Sequence, residues 1–464
     1  MTALVWLRRD LRVRDNPALR AALEAADRVL PVFCLDDRLL RGRHASGART
    51  QFLLECLRDL DASLRDRGGR LFVRRGRPER ELPKLALETK ARELHLAYDV
   101  SPYSRRRDER VLAAFRRAGV EVRVHDGLNA IDVRELRTSA RRPYSVFSPF
   151  HRAWLGAERR PAAAAPREVP IPSRPAPGRL PSLEDLGLGQ EVDSPARGGE
   201  DAARRRLSSF LARGVRDYAV RQDRLDEPGT SRLSPYLHFG CISPRQIEER
   251  LPRGSGAEAY RRQLCWRDFF HHVLHHFPRN ARSEFRERYR GMRWSRARRP
   301  FEAWAEGRTG YPLVDAGMRQ LRREGWMHNR ARLVVGSFLT KDLGIDWRWG
   351  ERHFMRFLID GDEANNNGNW QWIASVGVDP QPAFRRIYNP ARHQERYDPQ
   401  GTYVRRYVPE LARVPDRHLS EPWRMPRDLQ EEVGCVIGRD YPAPIVDHGE
   451  AREEALARYR ETAG

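Results

Sequence analysis

Apolar positions in the first 125 or so residues fall in short runs separated by longer amphipathic stretches. The runs at Leu4 to Leu7, Val29 to Leu35, Arg70 to Val73, Glu93 to Tyr98 and Val120 to Val124 have the length of strands. Between them, Pro17 to Ala26, Arg49 to Arg67, Glu79 to Arg92 and Arg105 to Ala118 carry apolar residues at helical spacing. Short buried strands alternating with amphipathic helices predict a parallel, doubly wound, Rossmann-like sheet. The turn after the first strand reads Arg8-Arg9-Asp10-Leu11-Arg12. No GxGxxG follows that strand, so the sheet by itself does not imply NAD.

The pattern then changes twice. From Ala130 to Asp201 periodicity gives way to prolines at 161, 166, 170, 172, 175, 177 and 181, the composition of an extended, semi-rigid connector. After Ala202 the chain is helical in pattern and rich in Trp, Tyr and His, with starts such as Ser243-Pro244, where proline suits a first helical turn. The last segment with a pattern of its own is a short polar helix at Glu450 to Arg460. The expected organisation is an α/β unit over 1–130, a linker over 131–201 and an all-α unit over 202–464. A length of 464 residues suits two domains.

Charge narrows the partner. The chain holds 86 Lys and Arg, nearly all Arg, against 64 Asp and Glu, for a net charge of +22. Coding bias towards Arg explains the shortage of Lys but not the excess over acids. A field of this sign favours a polyanion, nucleic acid before an anionic membrane. No run approaches the roughly 20 apolar residues of a spanning helix. The opening Met1 to Leu7 has no basic residue ahead of its apolar run and reads as a strand, not a signal peptide. Cys34, Cys56, Cys241, Cys265 and Cys435 are dispersed with no CxxC, which points to free thiols in a reducing cytosol and no zinc site.

Four segments carry candidate chemistry. Gly229 to Leu237 crowds hydroxyls and backbone amides where a helix begins, which reads as an anion cradle or as an ordinary cap. Gln263 to Phe270 sets Trp266 beside Arg267 on a helix, suited to base stacking and phosphate pairing or to a buried Trp with a surface Arg. In Trp326 to Leu333, Asn329 and Leu333 are four apart and share a helix face. Ile359 to Trp372 sets Asp360 and Asp362 round a glycine, then three consecutive Asn and a Trp-x-Trp. Asp-x-Asp suggests a divalent metal, but the amide-rich surroundings equally suit ribose hydroxyls and a heteroaromatic ring.

Together with the opening Trp6 to Leu19, with Gly310 to Ala316 and with Asn389-Pro390, these segments resemble the DNA photolyase/cryptochrome family in order over nearly the whole chain. The resemblance is closest to bacterial cyclobutane pyrimidine dimer photolyases of class I type. It implies a light-driven enzyme acting on UV-damaged DNA, in which excited reduced FAD donates an electron to a flipped pyrimidine dimer and recovers it once the ring has opened. Tyr218 and Thr230, Ser231, Arg232, Leu233 and Ser234 would hold the diphosphate region. Gln263, Arg267, Asn329 and Arg332 would line the flavin, Asp360 and Asp362 would contact flavin and ribose, and Asn366 would sit by N5. Trp266 and Trp372 correspond to the pair that sandwiches the lesion. Asn329 and Leu333 take lesion-facing positions, and Arg330 and Gln394 correspond to backbone contacts. Trp370, Trp347 and Trp294 correspond to the photoreduction chain.

Gln263 replaces the Glu of many dimer-repairing members, and Leu333 replaces their Met. The His pair of (6-4) enzymes is absent at Asn329 and Leu333. For the antenna, the stretch Asp99 to Asp108 looks more like members using 8-hydroxy-5-deazaflavin than those using methenyltetrahydrofolate, an empty site being the third possibility. Phe33, Asp36 and Tyr103 are the expected pocket residues. A cryptochrome-type photoreceptor and a (6-4) enzyme are the competing readings. A cytoplasmic monomer is expected, with no membrane association, no obligate protein partner and no metal.

Overall fold

A computed structural model describes residues 1–42 and 45–463. Five strands, β1 (Thr2–Leu7), β2 (Arg28–Leu35), β3 (Phe72–Arg75), β4 (Glu93–Ala97) and β5 (Glu121–His125), form one parallel sheet in the order β3-β2-β1-β4-β5. β1 is central, pairing Leu4 with Leu30 on one side and with Leu94 on the other. Its two faces enter separate cores, Ala3, Val5 and Leu7 in one and Leu4 and Trp6 in the other, so the strand is apolar on both sides. The crossover helices start at side-chain caps, the exception being Pro78–Thr89. Asn16 accepts from Leu19 N at 3.0 Å, and Ser101 accepts from Ser104 N at 3.2 Å, each with proline at the first turn. β3 begins two residues later than its apolar run, because Asp61 Oδ1 takes the Leu71 N–H at 2.8 Å and removes it from the ladder.

The proline-rich stretch is not extended throughout. It contains the helix Phe147–Gly156, which buries Phe147, Phe150 and Trp154 against the long helix Ser255–His276. The buried Asp268 fastens this packing, accepting from Trp154 Nε1 at 3.0 Å and from Ala130 N at 2.9 Å. Aromatic burial here outweighs the local preference of the surrounding prolines for an open chain.

Beyond Glu200 the chain is helical. The helices Pro312–Glu324, Asn329–Ser337, Trp347–Phe357 and Glu363–Ile373 enclose a second large core. A continuous apolar cluster runs from Val5, Leu7 and Phe33 of the sheet through the helix Gly47–Arg65 to Phe239, Ile242 and Leu264. Within it the Cys56 and Cys241 sulfurs lie 3.3 Å apart, and all five cysteines are free thiols. Among the described residues, no helix is long and apolar enough to cross a membrane.

Candidate functional site

Where the two halves meet, a cavity of about 540 Å³ opens into the helical half. Its wall includes Tyr218 from the short helix Tyr218–Arg221, Thr230, Ser231, Arg232, Leu233 and Ser234 from the turn entering the helix Ser234–Phe239, and Gln263, Trp266 and Arg267 from Ser255–His276. Asn329, Arg330, Arg332 and Leu333 come from Asn329–Ser337, and Asp360, Asp362 and Trp372 from the last inner helix and the turn before it. Four segments distant in sequence thus converge on one hollow. The turn at 230–234 is bent by Arg232, whose φ of 52° is left-handed. Ser231 Oγ closes it by accepting from Leu233 N at 3.2 Å and meets the Tyr260 hydroxyl at 2.8 Å. The Arg232 side chain turns aside to pair with Glu324 at 3.0 Å, stacked over Trp326.

The floor is polar and charged. Asp362 caps the helix Glu363–Ile373 through Asn365 N at 2.8 Å, and its other oxygen accepts from Arg9, three residues past the indole of β1. Arg9 also lies 3.5 Å from Asp99, beyond the end of β4, so the α/β half contributes a cation to the cavity wall. Burial alone would raise the Asp362 carboxyl, but the Arg9 guanidinium and then His271 hold it well below its usual range. Burial, with Arg9 nearby, keeps His238 well below the usual imidazole range and therefore neutral. Arg332 donates to Met327 O at 2.9 Å and to Asp360 Oδ2 at 2.8 Å. Arg267 reaches Leu128 O at 2.8 Å and Asn129 Oδ1 at 3.1 Å. Gln263 Nε2 donates to Gln222 at 3.3 Å.

Three buried atoms on this wall, Asp360 Oδ1, His238 Nδ1 and Arg330 Nε, have no hydrogen-bond partner. Buried polar groups are nearly always satisfied, so orphans facing a hollow mark where a polar ligand would bond. An acceptor, an imidazole, fixed arginines and a hydroxyl-rich turn around a hollow of this size fit FAD.

At the mouth, Trp266 and Trp372 meet edge to face, with centroids 5.0 Å apart and planes at 82°. Each ring has one face already covered. Phe147 stacks on Trp266 at 3.5 Å and 2°, and Arg262 lies over Phe147 at 4.9 Å. Arg386 lies over Trp372 at 4.8 Å and is held by Asp379 at 2.6 Å. Sequence reasoning missed Arg9, Phe147 and Arg386. The three-to-four spacing of Phe147, Phe150, His151 and Trp154 was the available signal for the helix that carries Phe147.

Other expected residues lie off this wall. Asn366 faces an adjoining cavity of about 90 Å³ with Asn329, Arg332, Asp360 and Trp370, and its amide donates to Glu351 O at 2.9 Å. Gln394 departs from expectation: it is 2% exposed on the helix Pro390–Tyr397, so its side chain faces the interior and offers no contact to a DNA backbone. Trp370 and Trp347 are buried, and Trp294 is half-buried. Ser295 N donates to Gly344 O at 2.8 Å, which brings Trp294 beside the start of the Trp347 helix. The ring neighbours of Trp370 include Phe354 at 5.0 Å and Trp304 at 6.2 Å, neither singled out by sequence. Asp36 and Tyr103 meet at the carboxyl edge of the sheet, where the Tyr103 hydroxyl donates to Asp36 and Asp36 pairs with Arg38 at 3.0 Å, while Phe33 packs into the core with Val5 and Leu7.

Comparison with known proteins agrees with this geometry. The family model described as DNA photolyase matches residues 3–171, and that described as FAD binding domain of DNA photolyase matches residues 260–461. A deoxyribodipyrimidine photo-lyase of Streptomyces griseus is 44% identical over 457 residues, covering 97% of each chain. The crystal structure of a class III photolyase from Agrobacterium tumefaciens superposes with a TM-score of 0.93 at 37% identity, covering 99% of this chain and 97% of that one. An archaeal photolyase from Sulfolobus tokodaii, solved with two FAD molecules, gives 0.88 at 33% identity, covering 99% and 100%.

Proposed function

The chain belongs to the DNA photolyase family, and from that premise we infer that it is a deoxyribodipyrimidine photo-lyase, repairing pyrimidine dimers in DNA under light. The observation that carries this reading is the cavity itself: a polar hollow with unmet buried groups, opening between two tryptophans backed on one face each.

FAD, when bound, supplies on absorbing blue light the electron that opens the cyclobutane ring and then receives it back. The chain's own residues do the rest. The 230–234 turn and Tyr218 would hold the diphosphate, with successive backbone amides as donors. Asp360, Arg332 and Asn329 would bond the ring edge, and Asp362 would remain anionic against Arg9. Trp266 and Trp372 would receive a flipped lesion, stacking in place of its neighbours in the duplex. Arg330, stacked over Tyr397 at 4.4 Å, would meet the strand on one side of the mouth. The apolar Leu333 would exclude water next to the lesion. Gln263 would donate to the lesion's carbonyl oxygens through its amide but has no acid proton to offer. The series Trp370, Trp347, Trp294 would carry electrons inward during photoreduction.

We read 1–130 as an antenna-binding unit, 131–201 as the linker and 202–464 as the catalytic unit. An 8-hydroxy-5-deazaflavin antenna bound near Phe33, Asp36 and Tyr103 rests on the sequence resemblance of Asp99 to Asp108, and extraction and absorbance of the bound chromophores tests it. A cytoplasmic monomer remains the expected state.

The deciding experiment is repair of an oligonucleotide bearing one thymine dimer by chemically reduced protein, in blue light and in matched darkness. Light-dependent recovery of intact thymines is expected. Flavin binding without recovery, followed by recovery of a (6-4) lesion, would overturn the dimer assignment.

A further inference from the structure

Residues 282–299 carry eight arginines against two glutamates. Seven of the eight, Arg282, Arg288, Arg290, Arg293, Arg296, Arg298 and Arg299, are exposed. Both acids are engaged. Glu284 is buried, paired with Arg348 at 2.9 Å and accepting from Trp347 Nε1 at 3.3 Å, and Glu287 pairs with Arg290 at 2.7 Å. Among the described residues, Arg293, Arg296, Arg298 and Arg299 have no ion-pair partner. Arg298 and Arg299 also open the helix Arg298–Glu306, whose first turn holds no acid. Cations at a helix N-terminus oppose the helix dipole, so this placement costs local stability and adds to the positive potential.

Trp294 sits in the middle of this stretch. It is half-buried, packed on the core of the helical half, and Arg458 lies 5.6 Å from its ring centroid. Its indole N–H is buried without an acceptor, so an oxidised Trp294 would keep its positive charge. An exposed arginine collar, Arg288, Arg290 and Arg293 before it and Arg296, Arg298 and Arg299 after it in sequence, thus flanks the tryptophan through which electrons enter, on the reading of Trp370, Trp347 and Trp294 given above.

We propose that this collar recruits small anionic one-electron reductants and sets the rate at which Trp294 is re-reduced. The step moves one electron from the reductant to the indole radical cation. The reductant leaves oxidised by one electron, and no covalent bond or proton changes hands at Trp294. A site lined by one sign of charge raises the local concentration of opposite ions and their encounter rate by about 10–10³-fold, an effect that salt suppresses within a Debye length of about 8 Å at physiological ionic strength.

The test uses the flavin-loaded protein and a charge-reversed variant, Arg296→Glu/Arg298→Glu/Arg299→Glu. Photoreduction is followed with ascorbate, an anion, and with neutral dithiothreitol, at low and high salt. The ascorbate rate is expected to fall about tenfold in the variant and with salt, while the dithiothreitol rate and dimer repair by pre-reduced protein stay level. A second readout needs no turnover: the fluorescence component lost in Trp294→Phe should be quenched several-fold more by iodide than by caesium, and the variant should reverse that preference. Equal behaviour of ascorbate and dithiothreitol in the variant overturns the proposal. So does weakened binding of undamaged duplex DNA with the ascorbate rate intact, which would make the collar a nucleic-acid surface. Normal photoreduction in Trp294→Phe would instead remove the electron-chain reading on which the collar rests.

Discussion

The interior of the helical half and the carboxyl edge of the sheet are both rich in charged and aromatic side chains, yet they are finished differently. At the sheet edge the groups satisfy one another: Tyr103 bonds Asp36, Asp36 pairs with Arg38, and Arg38 continues to Glu79 at 2.9 Å. In the helical half a cavity remains, with Asp360 Oδ1 and His238 Nδ1 unmet on its wall. Buried polarity that closes on itself stabilises a fold, whereas buried polarity left open is paid for by a ligand. The first region would rearrange locally to admit a chromophore, and the second is shaped for one in advance.

The sharpest way to break this contrast is Asp362→Ala. It strands the buried Arg9 guanidinium with Asp99 alone and removes a helix cap. Breaking a buried pair from one side costs about 3–5 kcal/mol. A large drop in the urea midpoint and near-complete loss of bound flavin are expected, and retention of both would remove Asp362 from the site.

Acid should act next most strongly. The ring of His328 accepts the Arg330 N–H at 3.2 Å and must be neutral to do so, and burial pushes its pKa down to about 4. The unfolded chain, with a value of about 6.5, binds the proton more readily. The contribution is complete above about pH 6.5 and is lost as pH falls towards 4, by up to about 3 kcal/mol. Chemical denaturation across that window should show the slope, and His328→Asn should flatten it.

At the mouth, Trp266→Ala is expected to weaken binding of a thymine-dimer oligonucleotide by about 1–3 kcal/mol with flavin content unchanged. Phe147→Leu, which removes only the ring behind it, should cost about 0.5–1.5 kcal/mol in the same titration, with Phe147→Tyr restoring most of it. If Phe147→Leu is neutral while Trp266→Ala is not, the stack does not orient Trp266. The smallest effect is expected at the sheet edge, where Tyr103→Phe removes one hydrogen bond to Asp36, whose carboxylate keeps its pairing with Arg38, about 1 kcal/mol or less. Flavin content should not change there, and a loss of flavin would join the two regions that the structure separates.

Much of this molecule was legible in one dimension. Each strand lies within two residues of an apolar run, since alternating burial and helical spacing are properties of near neighbours. The four motif segments could be read as chemistry before any geometry was known, and all four reach the cavity wall. Where the reading fell short, the cause was packing. Phe147 lay among prolines; its spacing could have marked a helix, but only its packing against Phe269 and Trp266 reveals a backing ring. Gln394 shares a helix with exposed polar residues, and only the fold turns it inward.

The alternation of strands and helices, the caps that start them and the residues available for a flavin and a lesion follow from the sequence alone, because periodicity and capping act over a few residues. That Arg9 bonds Asp362 across 353 positions, that Phe147 stands behind Trp266, and that Asp360 keeps an oxygen free were decided by the tertiary structure. Such contacts depend on how whole elements pack, and no local pattern records which distant side chains that packing brings together.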